Sequence, residues 1–537
     1  MPPEKRSLVL VRPAGALMAR GRLFDALEQA FPVTFGAEPS GRHDVVGEIV
    51  IGPPGELSSG RRGPGKATLP AIAFPGAPES STAREPFTLQ HATLVDQRVR
   101  GISLSDRFAE PPSAPPEDAQ EVLGTAGRQP VWTVSRGPAA LQTVRSVLPE
   151  LSPSEVLYAL VSKHPLSAIA LIQFLREVSA PSRLDPPPLR AAFLFDDPNL
   201  RWRSYGHIDY KRLVAHADEH GYHAAMAMIP LDAGRPHPPT AELFRRRADR
   251  ISLVVHGNDH TRRELLAPRS DAAALAIAAQ ALRRIARFER RCGLTVDRVM
   301  TPPHGLCSQQ VTRALGAVGF DALSAIHPLP WTEEPPEGPL LAGWRGADFV
   351  AGCAVLPRIP FGGSTADFAL RAFLDHPLIV YGHHQDLAEG IDALVAIAET
   401  INRLGPVRWM SVGEIVNSNA ERRVSGARIT VMPLTRRLRL TVPAVVRELV
   451  VERPLDSLDA GALDGFSISG GGDTDTVNPF GSAVSISGSG ERAVQIRLDG
   501  RHDVDPWRIP PPPWRPWPKV RRAVTEIRDR ASVREIV

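Results

Sequence analysis

The sequence predicts an α/β chain centred on a deformed barrel of strand–helix units, with a smaller α/β layer before it and a small β-sandwich after it. Three observations carry this expectation. Between residue 191 and about 420, short apolar runs alternate with helix-patterned stretches, as in a parallel sheet covered by helices. Before it, apolar runs and an amphipathic stretch share the first 150 residues; after Asn417 the hydrophobic period drops to two, the period of half-buried strands.

In order, "SLVLV" (7–11), "DVVGEIVIG" (44–52) and "TLPAIAFPG" (68–76) are expected strands, and "RLFDALEQAF" (22–31) an expected helix. "AEPPSAPPED" (109–118) is a loop, and residues 151–190 form a helical connector ending in the apolar "HPLSAIALIQFLREV" (164–178), expected to pack against the next domain. "AAFLF", "HAAMAMI", "ISLVV", "VDRVM", "GFDALSAI", "PLIVYG" and "VRWMS" supply strands of residues 191–420, with helices such as "DYKRLVAHADEHG" between them. Roughly seven such units in ~230 residues suit a (β/α)7-type barrel better than a short open sheet. Residues 421–505 carry the sandwich strands, from "GARITVMPL" to "RAVQIRL"; residues 506–537 hold a proline-rich tail with three tryptophans and a helix-patterned end of mixed charge.

Composition excludes several classes. With 63 Lys plus Arg against 59 Asp plus Glu, the formal charge is +4, and no cluster of cations interleaved with aromatics marks a nucleic-acid surface. Three cysteines, Cys292, Cys307 and Cys353, give neither a disulfide framework nor a paired metal-ligand spacing. The five-residue apolar run near the start is too short for a signal core, and no run is long enough for an integral membrane segment. A cytoplasmic protein is expected.

Several central strands end in polar residues. "LFDD" ends in Asp196 and Asp197; "SLVVHGNDH" gives His256 and His260; "RVMTPPHG" gives Thr301, Pro303, His304 and Gly305; "LIVYGHHQD" gives His383, His384 and Asp386. Parallel strands share one C-terminal edge, so these residues are expected to converge. Adjacent carboxylates repel unless a cation compensates. Asp197 with His256 and His260, four apart and so on one side of a helical turn, makes a two-histidine, one-carboxylate set for one divalent ion, zinc first among them. Asp196 then stands beside it as a base for water. The histidines His216, His220, His223 and His237 read as surface residues, and Cys307, with no adjacent base, is not a nucleophile.

On these motifs the segment 191–420 resembles the polysaccharide deacetylase, or NodB-homology, superfamily. The resemblance implies Asp196 as general base, Asp197, His256 and His260 as metal ligands, and Pro303 and Gly305 as parts of a third motif. It implies His383 as the catalytic histidine, with His384 the fallback and Asp386 beside it. Thr301 stands where the family has the arginine that holds the base, His304 where it has tyrosine, and Gly257 where it has Ser or Thr; Arg201, Arg203 and Arg358 are candidates for the missing guanidinium. The implied chemistry is removal of N-acetyl groups from a glycan or amino sugar, with a backbone N–H near His304 facing the oxyanion. Asn199, Trp202, Tyr205 and His207 are candidates to line the sugar cleft. Two other functions remain open: a non-catalytic carbohydrate-binding or scaffold protein, and a glycosidase using Asp196 with another carboxylate.

The flanks say less. Residues 1–150 resemble a degenerate flavodoxin-like or amidotransferase-like layer, with no phosphate-binding glycine fingerprint. The proline-rich tail favours an extended conformation that packs over the barrel or serves as a ligand for a protein partner. "GGGDTDT" (470–476) lacks the full spacing of a calcium loop.

Overall fold

The computed structural model describes residues 6–39, 43–52, 69–76, 83–109, 120–136, 140–268, 270–326, 343–456, 459, 461–469, 476–486 and 490–534. The architecture is mixed α/β and divides into two compact units. One comprises Met1–Arg183, Pro336–Trp344 and Thr365–Phe373; the other comprises Leu184–Pro335, Arg345–Ser364 and Leu374–Val537.

The first unit is built on one sheet of β1 (Ser7–Arg12), β2 (Val33–Gly36), β3 (Val45–Ile51), β4 (Ala71–Phe74), β5 (Glu85–Leu89), β6 (Ser103–Asp106), β7 (Gln120–Ala126), β8 (Gln129–Arg136) and β9 (Ala140–Val144). The order is β2-β1-β3-β4-β9-β8-β7-β5-β6. The first five are parallel, and the rest continue the sheet antiparallel. Its helices are α1 (Ala14–Ala19), α2 (Gly21–Ala30), α3 (Tyr158–Lys163) and α4 (Pro165–Val178). α2 buries Leu23, Phe24, Ala26 and Leu27 at helical spacing. α4 is apolar nearly all round because it packs on the sheet of this unit, against β4, β6 and β9. It approaches so closely that a Cβ at Gly47 would lie 2.9 Å from the Phe174 ring. The helix expected to serve the next domain thus completes the core of its own.

The second unit carries β10 (Arg190–Asp196), a small hairpin of β11 (Ser204–Tyr205) and β12 (Ile208–Asp209), β13 (Ala224–Met228), β14 (Ile251–His256), β15 (Val299–Thr301), β16 (Ala322–Ala325), β17 (Asp348–Val350), β18 (Cys353–Pro357), β19 (Ile359–Pro360), β20 (Leu378–Gly382) and β21 (Arg408–Trp409). The main sheet runs β17-β18-β16-β15-β14-β13-β10-β20-β19, with β21 also on β10. Every pair is parallel except β17 with β18. Between the strands lie α5 (Tyr210–His220), α6 (Pro238–Arg246), α7 (Asp271–Cys292) and α8 (Gln309–Val318); α9 (Thr365–Phe373) belongs to the first unit, and α10 (Ala393–Asn402) and α11 (Val412–Asn417) follow. Local sequence sets their ends. Asp209, Ser270, Ser308 and Ser411 cap α5, α7, α8 and α11, and Gly221, Gly293 and Gly319 close α5, α7 and α8 in the left-handed region. The two end strands of the sheet, β17 and β19, are not paired with each other among the described residues.

Two further sheets follow: β22 (Ala420–Ser425), β23 (Arg428–Pro433), β25 (Glu448–Val451) and β27 (Ala483–Ser485) in one, and β24 (Arg437–Val442), β28 (Arg492–Gly500) and β26 (Leu463–Ser469) in the other. Leu438, Leu440, Ile496 and Leu498 of these sheets share one apolar core with Val412 and Ile415 of α11 and with Ala192 and Ala225 of the main sheet. The chain ends in α12 (Trp517–Arg534). Among the described residues no helix is long and apolar enough to cross a membrane. Residues 470–475, most of the calcium-loop candidate, lie outside the described residues.

Candidate metal centre

Five parallel strands end along one edge, and their last residues make the site. Asp196 closes β10, His256 closes β14, Thr301 closes β15, His383 follows β20 and Arg358 follows β18. His256 and Thr301 are register partners.

The backbone keeps the adjacent carboxylates of Asp196 and Asp197 apart. Asp197 has φ 80°, in the left-handed region that Asp tolerates better than most residues. The turn separates the pair. Asp196, 2% exposed, accepts two hydrogen bonds from Arg358 Nη1, at 2.9 and 3.1 Å. Arg358 is 1% exposed and lies over the Tyr381 ring, 4.0 Å from its centroid. Asp197 faces the histidines instead, with its Oδ1 3.2 Å from His260 Nε2 and 3.8 Å from His256 Nε2. Burial alone would raise the Asp197 pKa, but His256, His260 and Arg522 outweigh it and hold the carboxyl below its ordinary value.

His256 is buried, and burial drives its pKa well below the usual imidazole value, so it is neutral. Its Nδ1 lies 2.9 Å from Thr301 Oγ1 and 3.0 Å from the Thr301 carbonyl. Thr301 Oγ1 in turn donates to the Val255 carbonyl at 3.1 Å, so its lone pairs face the ring, and His256 Nδ1 must be the protonated nitrogen. That leaves the Nε2 lone pair facing Asp197.

The spacing of four suggests a helical turn between His256 and His260, but the segment is a loop with Gly257 at φ 60° and His260 at φ 53°. The buried carboxylate of Glu264 organises it, accepting from the backbone N–H of Asn258, Asp259 and His260 at 2.7, 2.8 and 3.0 Å. The rings end 5.0 Å apart. A Cβ at Gly257 would lie 2.1 Å from Glu264 Oε1 and 2.6 Å from Pro303 Cγ. Glycine here, where the resembled motif has Ser or Thr, is therefore a packing requirement.

One ligand atom from each of Asp197, His256 and His260 falls within 4.8 Å of the others. Asp197 Oδ1 is buried without a hydrogen-bond donor, and a carboxylate oxygen beside two imidazoles whose affinity for protons burial lowers is a donor set for a first-row divalent ion. The residues fit the expected divalent cofactor.

The remaining expected residues fall into groups. His304, exposed at φ 58°, places its ring 5.5 Å from that of His260. Gly305 takes φ 70° where a Cβ would meet Ile326, and Pro303 packs beneath Gly257. His383 is exposed, near enough to His256 to weigh on its charge; its backbone N–H donates to Asp386 at 2.7 Å. His384 is buried among Tyr205 and His207, with ring centroids 5.5 and 5.6 Å away; burial and His384 lower the His207 pKa. Asn199 is buried, its Oδ1 accepting from Arg201 N and its carbonyl from Tyr210 Oη. Trp202 is half exposed and donates to Glu526 at 3.3 Å. Of the three guanidinium candidates, Arg201 reaches Glu526 and Asp232 instead of Asp196, at 3.0 and 3.8 Å, and Arg203 is exposed. His223, expected at the surface, is buried between the Asp249 carbonyl and Ser252 Oγ. Burial pushes the Cys307 thiol up to about 12, which fits its exclusion as a nucleophile.

Sequence reasoning misses one whole contributor. Arg522 of α12, 4% exposed, donates to Asp232 Oδ2 at 2.6 and 2.9 Å and lies 3.7 Å from Asp197 Oδ1. Arg521 donates to His260 Nδ1 at 3.1 Å. Nothing in spacing relates residues 521 and 522 to strand ends more than 260 positions earlier.

No protein-family model matches the chain, and no curated protein is significantly similar to it. Among solved structures, a Mycobacterium smegmatis protein described as a polysaccharide deacetylase is 15% identical over 44% of this chain and 93% of that one, with a TM-score of 0.30. A family 4 carbohydrate esterase from Streptomyces lividans is 15% identical over 40% and 87%, at 0.25. A maltose-forming amylase from Pyrococcus is 9% identical over 42% and 48%, at 0.29. These likenesses are weak and partial, and at such scores they carry no weight for this chain.

Proposed function

We propose that the chain is a metal-dependent hydrolase that removes N-acetyl groups from a glycan or amino-sugar substrate. The observation that carries this reading is the convergence of Asp197, His256 and His260 beside the buried Asp196–Arg358 pair. We read the main sheet as the deformed barrel of the polysaccharide deacetylase superfamily, the last two sheets as a sandwich, and the parallel order β2-β1-β3-β4-β9 as support for a flavodoxin-like first unit.

A divalent ion held by Asp197, His256 and His260, with zinc the first choice, would supply Lewis-acid polarisation of the amide carbonyl and a lowered water pKa. The protein's own residues supply the rest. Asp196 takes the proton of the attacking water, and Arg358 fixes that carboxylate in one orientation. Thr301 fixes the His256 tautomer. The backbone N–H at His304 faces the developing oxyanion, with Gly305 shaping the turn that holds it, and His383, with His384 and Asp386 behind it, returns a proton to the departing amine. Asn199, Tyr205 and His207 shape the cleft, with Trp202 at its rim. Hydrolysis then consumes one water and yields acetate and an amine.

A second reading, a carbohydrate-binding or scaffold protein on the same sheet, is favoured by Arg521 and Arg522 lying against His260 and Asp197. Acetate release from N-acetylated oligosaccharides by metal-loaded protein, with Asp196→Asn in parallel, separates the two. The substitution is expected to keep the metal and lower the rate by about 10² to 10⁴. No acetate from any substrate, or equal release by the variant, selects the second reading.

A further inference from the structure

α12 presents two unlike faces. Its inner face is polar and engaged: Arg522 on Asp232, Arg521 on His260, and Glu526 on Arg201 and Trp202. Its outer face is apolar. Trp517, Val520, Val524 and Ile527 recur at spacings of three and four and so form one stripe, and they are 66%, 51%, 60% and 69% exposed. A surface helix of a globular protein ordinarily turns its apolar stripe to the core, and here the stripe is turned away. Trp514, 76% exposed, extends the same apolar surface into the preceding prolines. Exposed Arg515, Lys519 and Arg528 flank it.

Charge decides what fits this face. A second copy of the chain would bring the same cationic rim against itself, and an apolar protein groove would leave that rim without complementary charge. Indoles and aliphatic side chains bordered by cations match the boundary of an anionic bilayer, where rings and aliphatics enter the headgroup layer and cations meet phosphates. We propose that the outer face of α12, with Trp514, seats this protein on an anionic lipid surface. The seat lies on the helix that covers Asp232 and His260, so it holds the metal centre beside the membrane.

The test is co-sedimentation of the full-length protein with phosphatidylcholine vesicles, with and without phosphatidylglycerol. Binding is expected with phosphatidylglycerol only, and it should fall as salt rises. Val524→Glu with Ile527→Glu should weaken partition about tenfold or more, and so should Arg515→Glu with Lys519→Glu. Both variants should retain the wild-type melting temperature and metal content, which separates a lost seat from a lost fold. No binding by the wild-type protein overturns the proposal, as does undiminished binding by the Val524→Glu, Ile527→Glu variant. A wild-type dimer that the same variant dissolves would assign the face to a second copy and overturn the lipid assignment.

Discussion

Arg358, from the end of β18, holds the Asp196 carboxylate, and Thr301, at the end of β15, does something else: its Oγ1 orients His256. Thr301→Val keeps the shape and removes the Oγ1 acceptor from His256 Nδ1. Loss of such an outer hydrogen bond typically costs 10- to 100-fold in metal affinity, and titration calorimetry with zinc is expected to show a loss in that range while folding is retained. Arg358→Ala leaves Asp196 as an uncompensated buried charge, a change that typically costs about 3–5 kcal/mol. Denaturant unfolding should show it, and adding Asp196→Asn to that variant should recover part of the loss, because the second change removes the stranded charge. Equal stability of the single and double variants would refute the pairing.

At the scale of elements, the loop from Gly257 to Glu264 and the helix α12 decide whether the ligand atoms are available. The loop closes around one carboxylate, and burial raises the Glu264 pKa even against its three backbone donors. The helix works differently. Arg521 donates to His260 Nδ1, which places the His260 proton on Nε2, the atom facing Asp197. A metal ion needs that nitrogen's lone pair. Arg521→Ala is therefore expected to tighten zinc binding, by up to about tenfold if the hydrogen bond is worth about 1.4 kcal/mol; unchanged or weaker affinity in calorimetry would show that the contact does not compete. The strands and capped helices were legible because each rests on local pattern: "AAFLF" became β10, and Ser270 and Gly293 bound α7. The turn between His256 and His260 is a loop where the spacing of four suits a helical turn, since that spacing does not report a glutamate folded underneath.

At the scale of the molecule, the second unit owes its stability to one core running from the main sheet through α11 into the last two sheets, with a half-buried acid at its margin. Asp297 accepts from Gly413 N at 3.1 Å, and burial, then the neighbouring Glu414 and Asp321, push its pKa up to about 6. The folded state holds this proton more tightly than the unfolded chain does. Its stabilisation is present below about pH 4 and is lost as pH rises through about 6. Asp297→Asn fixes the neutral form, so thermal unfolding should match wild type near pH 4 and show a gain on the order of 3 kcal/mol at pH 8. A variant less stable at pH 8 would refute the assignment.

By itself the sequence determined the alternation of strands and helices, the strand-end placement of Asp196, Asp197, His256, Thr301 and His383, and the kind of ion such donors suit. Period, caps and turn residues act over a few positions, and parallel strands share one edge, so those facts follow from neighbours along the chain. Only the tertiary structure decided that Arg358 holds Asp196, that Glu264 shapes the loop between the histidines, that the helix at 165–178 serves the first sheet, and that α12 lies over the ligands. Each of these is a buried charge finding its partner or an apolar face finding its cover. Desolvation makes such pairings stringent without fixing their distance along the chain.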